Sequence, residues 1–141
     1  MCEAFLSWGA TVLALDRDAG ALADMDARLK TAAVDLTDLA AVKAVIDGLV
    51  AVSGPVDILV NNAGAAAATA LATLKPEDWA HDLAINLSAA YHCVEAVKTA
   101  MFARKSGVII KSGTVKASLA LGHPAYSAAK AGLVSYTKAL A

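Results

Sequence analysis

At 141 residues with a formal net charge of −1, the chain has the size of one domain with a buried core, or part of one, and its twelve Lys and Arg give no electrostatic footprint for nucleic acid or anionic lipid. Hydrophobic residues make up 58% and charged residues 18%, but 35 positions are alanine, so the apolar excess comes from small side chains suited to helices packed closely on a sheet. No apolar run reaches the roughly 18 to 20 residues of a membrane span, the first residues lack the basic start of a signal peptide, and Cys2, Cys93 and the three histidines have no metal-ligand spacing; a cytoplasmic protein without a metal is expected.

Taken in chain order, Thr11 to Leu15 is the first strand candidate, followed by a helix expected from about Asp18 to Leu29 and a second strand at Thr31 to Val34. Leu39, Val42, Ile46 and Leu49 recur at three and four residues, which places one apolar stripe on a helix that Gly54-Pro55 ends. Val56 to Val60 reads as the third strand, and Ala65 to Ala68 as a loop of small residues. A long helix starts at Pro76, with Glu77 and Asp78 complementing the dipole in its first turn, and continues through Leu83, Leu87, Ala90, Val94, Val97 and Met101. Val108 to Ile110 is the fourth strand, and a last helix carries Tyr126 to Ala141. Apolar strands alternating with helices predict βαβ units, hence an α/β fold with a parallel sheet covered by helices on both faces, in one domain over residues 1–141.

Tyr126 and Lys130 stand four apart on that last helix, so both side chains project from one face and can act on one substrate atom. Reducing a ketone by hydride requires a proton for the developing alkoxide. A tyrosine, with an ordinary pKa of about 10, serves near neutral pH only when a neighbouring cation shifts it down, and Lys130 is the available cation. The spacing alone also suits an ordinary amphipathic helix face.

The order of the other elements narrows the choice. Phe5-Leu6-Ser7-Trp8-Gly9-Ala10-Thr11-Val12, Ala33-Val34-Asp35-Leu36-Thr37-Asp38, Asn61-Asn62-Ala63-Gly64, Ile85-Asn86-Leu87 and Pro124-Ala125-Tyr126-Ser127-Ala128-Ala129-Lys130-Ala131-Gly132 follow one another along the chain. In that order the chain resembles the classical short-chain dehydrogenase/reductase family. The resemblance implies a Rossmann-like, doubly wound parallel sheet and an oxidoreductase that uses NAD on an alcohol or ketone. Tyr126 would be the general acid or base, and Lys130 would lower its pKa and bind the nicotinamide ribose. Asn86 would interrupt the long helix and hold a water for proton relay. Asp16 would bind the adenosine ribose and favour NAD, although Arg17 beside it could tolerate NADP. Asp35 and Leu36 would contact the adenine, and Asn62, Ala63 and Gly64 would line the cofactor. The family also implies a homodimer or homotetramer.

The chain departs from the family at the substrate-binding serine: Thr114 fits the position by alignment on the preceding strand, with Ser112 second, and Lys111 replaces the usual asparagine. The glycine-rich Thr-Gly-x-x-x-Gly-x-Gly turn that holds the pyrophosphate is absent from these residues, as are the family's first strand and its last strands, so the sheet is expected to be incomplete. The first strand is central in the family, so the strands at Thr11–Leu15 and Val56–Val60 each lose a neighbour, and the 141-residue chain is expected to pair these two strands directly, to borrow a strand from another copy, or to be an aggregating or molten species that binds no NAD(H). A catalytically inactive Rossmann-like fragment, acting as a binding or assembly module, is the alternative reading.

Overall fold

The computed structural model describes residues 1–18, 20, 26–67, 70–119 and 122–141. A short helix, α1 (Cys2–Ser7), leads into strand β1 (Val12–Asp16), which pairs in parallel with β2 (Leu29–Ala33), Val12 opposite Leu29 and Asp16 opposite Ala33. Strand β3 (Ile58–Asn61) pairs in parallel with β4 (Val108–Lys111), Ile58 opposite Val108 and Asn61 opposite Lys111. Four strands therefore appear within a residue or two of their expected places, all with parallel partners.

Helix α2 (Leu39–Ser53) follows from its sequence. The Asp38 carboxylate accepts the Ala41 N–H at 3.0 Å and caps the first turn, Val42 and Ile46 of the apolar stripe are buried, and Gly54 at φ 87° ends the helix in a conformation that favours glycine. Helix α3 (Pro76–Leu83) begins with proline at its first position, and Asp78 accepts the Lys75 N–H at 3.3 Å. The expected continuation is present with a change of winding. Ala84–Ser88 form a single π-helical turn with Asn86 inside it, and helix α4 (Ala89–Arg104) then buries Ala90, Cys93, Val94, Val97 and Met101. Lys105 at φ 54° closes α4, with the Ser106 N–H bonded back to Met101 O at 3.2 Å. Helix α5 (Pro124–Ala139) starts two residues before Tyr126, because Pro124 is preorganised for a first helical position.

One expectation fails in part. Of the helix foreseen from Asp18 to Leu29, residues 21–25 lie outside the described residues, but its end is not helical: Asp26 Oδ1 accepts the Arg28 N–H at 2.8 Å across a turn, and Leu29 opens β2. Leu29, expected as the end of that helix, is instead buried in a strand, opposite Val12. Ala65–Ala67 form the loop expected there; Ala68 lies outside the described residues.

α2 and α4 pack on each other, and Val34, Val42, Ile46, Cys93, Val97 and Met101 form a core joined by Leu15, Leu59 and Ile109 from the strands and by Leu36 from the turn after β2. Helix α5 packs on α3 and on the π turn, which brings the Tyr–Lys helix against Asn86. Burial pushes the Cys93 thiol up to about 11, so it stays protonated in the core.

The sheet is incomplete, as foreseen. β1 and β3 do not pair directly: among the described residues each has a single hydrogen-bonded neighbour. Ile58, Val108 and Ile110, side by side on the β3–β4 pair, are 46%, 52% and 45% exposed, so apolar strand surface remains uncovered by the described residues. Lys111 closes β4 with its ammonium 3.8 Å from the Tyr136 ring centroid of α5, a cation–π contact, and burial lowers its pKa. Among the described residues no helix is long and apolar enough to cross a membrane.

Candidate active site

The C-terminal ends of β3 and β4 lie side by side and pass at once into Asn62-Ala63-Gly64 and Ser112-Gly113-Thr114. Two hydrogen bonds lash these loops together: Ser112 N–H donates to Asn61 O at 2.9 Å, and Ser112 Oγ donates to Asn62 Oδ1 at 2.8 Å. Lys130 reaches them from α5, where its ammonium donates to Ser112 O at 3.0 Å. It is only 4% exposed, and burial holds its pKa below the ordinary lysine value. The same ammonium stands 5.7 Å from the ring centroid of Tyr126, one turn earlier on the same helix face.

Asn86 closes this arrangement from the π turn. It is 1% exposed, its amide donates to Ala65 O at 2.6 Å and to Asp82 O at 2.9 Å, and its Oδ1 accepts the Ala65 N–H at 3.3 Å. Gly64 sits where these side chains meet, since a Cβ on it would lie 2.7 Å from Asn86 Oδ1 and 3.6 Å from Lys130 Nζ. Glycine is required by this close approach. Gly64→Ala is therefore expected to destabilise the fold by about 1–3 kcal/mol, the usual cost of forcing a packed neighbour aside. Chemical denaturation checks it, and an unchanged midpoint would show that Asn86 yields freely.

The two candidate hydroxyls differ in what they already do. Ser112 gives its proton to Asn62, whereas Thr114 Oγ1 accepts the Lys116 N–H at 3.3 Å and caps the 3-10 turn Val115–Ala117. An acceptor's role leaves the Thr114 proton available.

The adenosine-side candidates gather at the ends of β1 and β2. Val34 N–H bonds to Asp16 O at 2.9 Å, and the exposed Asp16 carboxylate accepts the Asp18 N–H at 3.1 Å. Asp35 accepts the Thr37 hydroxyl at 2.7 Å and the Thr37 N–H at 2.8 Å; those bonds, and after them the charge of Arg17, hold its carboxyl below the usual range. Leu36 joins the core by its side chain, and its carbonyl accepts from His92 Nδ1 of α4 at 2.9 Å. Two groups thus form at the carboxyl ends of parallel strands: Asp16, Asp35 and Leu36 at one pair, and Asn62, Ala63, Gly64, Asn86, Thr114, Tyr126 and Lys130 around the other.

Sequence reasoning missed Asp82 and His92, which hold loop backbone at these two groups. For Asp82 a signal existed. It lies four residues before Asn86, a second short polar residue on the same helix face.

Comparison with known proteins agrees with this fold. The short chain dehydrogenase family model matches residues 1–141. The chain is 36% identical over 146 residues to the 3-oxoacyl-(acyl-carrier-protein) reductase of Escherichia coli, covering 100% of this chain and 60% of that protein. It is 35% identical over 149 residues to the D-threitol dehydrogenase of Mycolicibacterium smegmatis, covering 100% and 57%. The crystal structure of an oxidoreductase of the short chain dehydrogenase/reductase family from Burkholderia thailandensis superposes with a TM-score of 0.90 at 44% identity, over 99% of this chain and 55% of that one. The chain thus spans a little over half the length of these relatives.

Proposed function

The chain belongs to the short-chain dehydrogenase family, and from that premise we propose that the protein is an oxidoreductase moving a hydride between a nicotinamide cofactor and an alcohol or ketone, through Tyr126, Lys130, Asn86 and Thr114. The observation that carries this reading is the placement of the buried Lys130 ammonium between the Tyr126 ring and the Ser112 carbonyl, against Gly64. The residues fit the two ends of a dinucleotide. An exposed carboxylate, Asp16, stands at a strand end for ribose hydroxyls, with Asp35 and Leu36 beside it for the adenine, and the exposed Asn62-Ala63-Gly64 backbone approaches Asn86 too closely for a side chain at position 64, with the Lys130 ammonium in contact distance of the same point. A bound nicotinamide supplies or takes up the hydride.

In reduction, Tyr126 donates its phenolic proton to the developing alkoxide; in oxidation it takes that proton back. Lys130 stabilises the tyrosinate and binds the nicotinamide ribose. Thr114 donates its hydroxyl proton to the substrate oxygen and holds the carbonyl in line. Asn86 fixes the loop after β3, and the π turn around it is where a relay water would reach Lys130. Substrate classes suggested by the relatives are 3-oxoacyl thioesters and polyols. Exposed Tyr91, Phe102 and Val134 on α4 and α5 support association into a homodimer or homotetramer. A cytoplasmic location accords with the two free cysteines.

Steady-state assays of the longest natural form of the protein with 3-oxoacyl thioesters and ketopolyols, each with NADH and NADPH, test this reading. NADH is expected to be preferred, because the Asp16 carboxylate repels a 2′-phosphate, and Asp16→Ser is expected to move the ratio about tenfold or more toward NADPH. A wild-type protein already faster with NADPH would show that Arg17 decides the choice.

A further inference from the structure

The loop after β3 is held at two points, and only one of them belongs to the catalytic group described above. Asn86 grips Ala65 through both its backbone N–H and its carbonyl. One helical turn earlier, Asp82 Oδ1 accepts the Ala67 N–H at 2.9 Å. The spacing matches: four helical residues rise about 6 Å and two extended residues span roughly 6.6 Å, so the loop runs antiparallel along the helix with its backbone in step with one face. Asn86 also donates to the Asp82 carbonyl at 2.9 Å, which couples the two grips.

Asp82 is 0% exposed. Its remaining contact is His81 Nδ1, 3.2 Å from the same Oδ1 on a ring half in solvent, and its Oδ2 is buried without a partner among the described residues. A carboxylate taken out of water is costly unless it is hydrogen-bonded, and an aliphatic side chain would suit the packing of α3 on α5 better. The contact it makes on the loop is the Ala67 amide.

We propose that Asp82 is a positioning residue of this site, forming with Asn86 a two-point clamp that holds the Ala65–Ala67 backbone along the helix and so keeps Gly64 against Lys130. The clamp is a property of the fold; its consequence for cofactor binding rests on the oxidoreductase reading. Asp82→Asn keeps the accepting Oδ1, whereas Asp82→Leu fills the space without an acceptor. In the longest natural form of the protein, hydrogen exchange at the Ala67 amide is expected to speed up about tenfold or more in the Leu variant and to stay within about threefold of wild type in the Asn variant. The KM for NADH should rise at least about fivefold in the Leu variant, more than kcat falls, and return in the Asn variant. Unchanged Ala67 exchange in the Leu variant, or exchange in the Asn variant as fast as in an unfolded chain, would overturn the proposal. The second measurement decides it even if the Leu variant does not fold. Exchange needs no turnover, so a wild-type protein that oxidises no NADH would strike the oxidoreductase reading while the exchange rates still decide the clamp.

Discussion

Tyr126→Phe is expected to lower turnover by about 10²–10⁴-fold, the usual worth of a positioned general acid, while NADH affinity stays within about threefold. The substitution removes one hydroxyl and nothing else that holds the site. Tyr126 is half-buried in the first turn of α5, beside a proline that starts the helix and an edge-on contact with His123 at 6.4 Å, and a phenylalanine ring preserves both. The Lys130 ammonium keeps its bond to Ser112 O, so the proposed ribose contact survives. Steady-state kinetics and a fluorescence titration with NADH measure the two halves. A Phe variant that turns over normally would remove Tyr126 from the mechanism.

Lys130→Ala should damage turnover, cofactor affinity and stability together. Its stem is buried and its ammonium satisfies the Ser112 carbonyl, so truncation leaves a cavity and an unpaired acceptor, about 2–4 kcal/mol in all. Turnover should fall about 10²–10⁴-fold, because the proposed proton donor loses its neighbouring cation, and NADH affinity should fall about tenfold or more. Lys130→Met restores the buried volume and most of the stability but neither of the other two, which separates packing from charge.

The pH dependence has a definite sign. Burial lowers the folded pKa of Lys130 beneath the ordinary 10.5, so between those values the unfolded chain binds more protons, and this group's contribution to stability rises with pH. The stability gap between wild type and Lys130→Met should therefore shift in favour of wild type as pH climbs toward 10.5. A gap independent of pH would show that the amine is not desolvated. Normal NADH affinity in both variants would remove the ribose role.

What the sequence disclosed followed from local periodicity and from motif order. The stripe of α2, the proline start at Pro76 and the four strands are each written in neighbouring residues, and Asn86 stands in an interrupted helix as its motif implied. The end of the Asp18–Leu29 segment was misread because Leu29 fits a helical stripe as well as it fits a buried strand, and only its pairing with Val12 decides between them. The choice between Thr114 and Ser112 rests on where each hydroxyl bonds, which requires the Asn62 side chain fifty residues away. The same holds for Asp82, Lys111 under Tyr136 and His92 on Leu36 O, contacts made across elements that no spacing along the chain encodes. The lack of pairing between β1 and β3 is likewise a tertiary fact, left open by the motifs.

The most direct test of the oxidoreductase assignment is transfer of label from NADH dideuterated at nicotinamide C4 to a 3-oxoacyl thioester or a ketopolyol, using the longest natural form of the protein. One deuterium should appear on the carbinol carbon of the product per NADH consumed, with transfer lost to Tyr126→Phe although that variant still binds NADH. Product formed without deuterium on that carbon, or a Tyr126→Phe protein that transfers it as fast as wild type, would contradict the assignment.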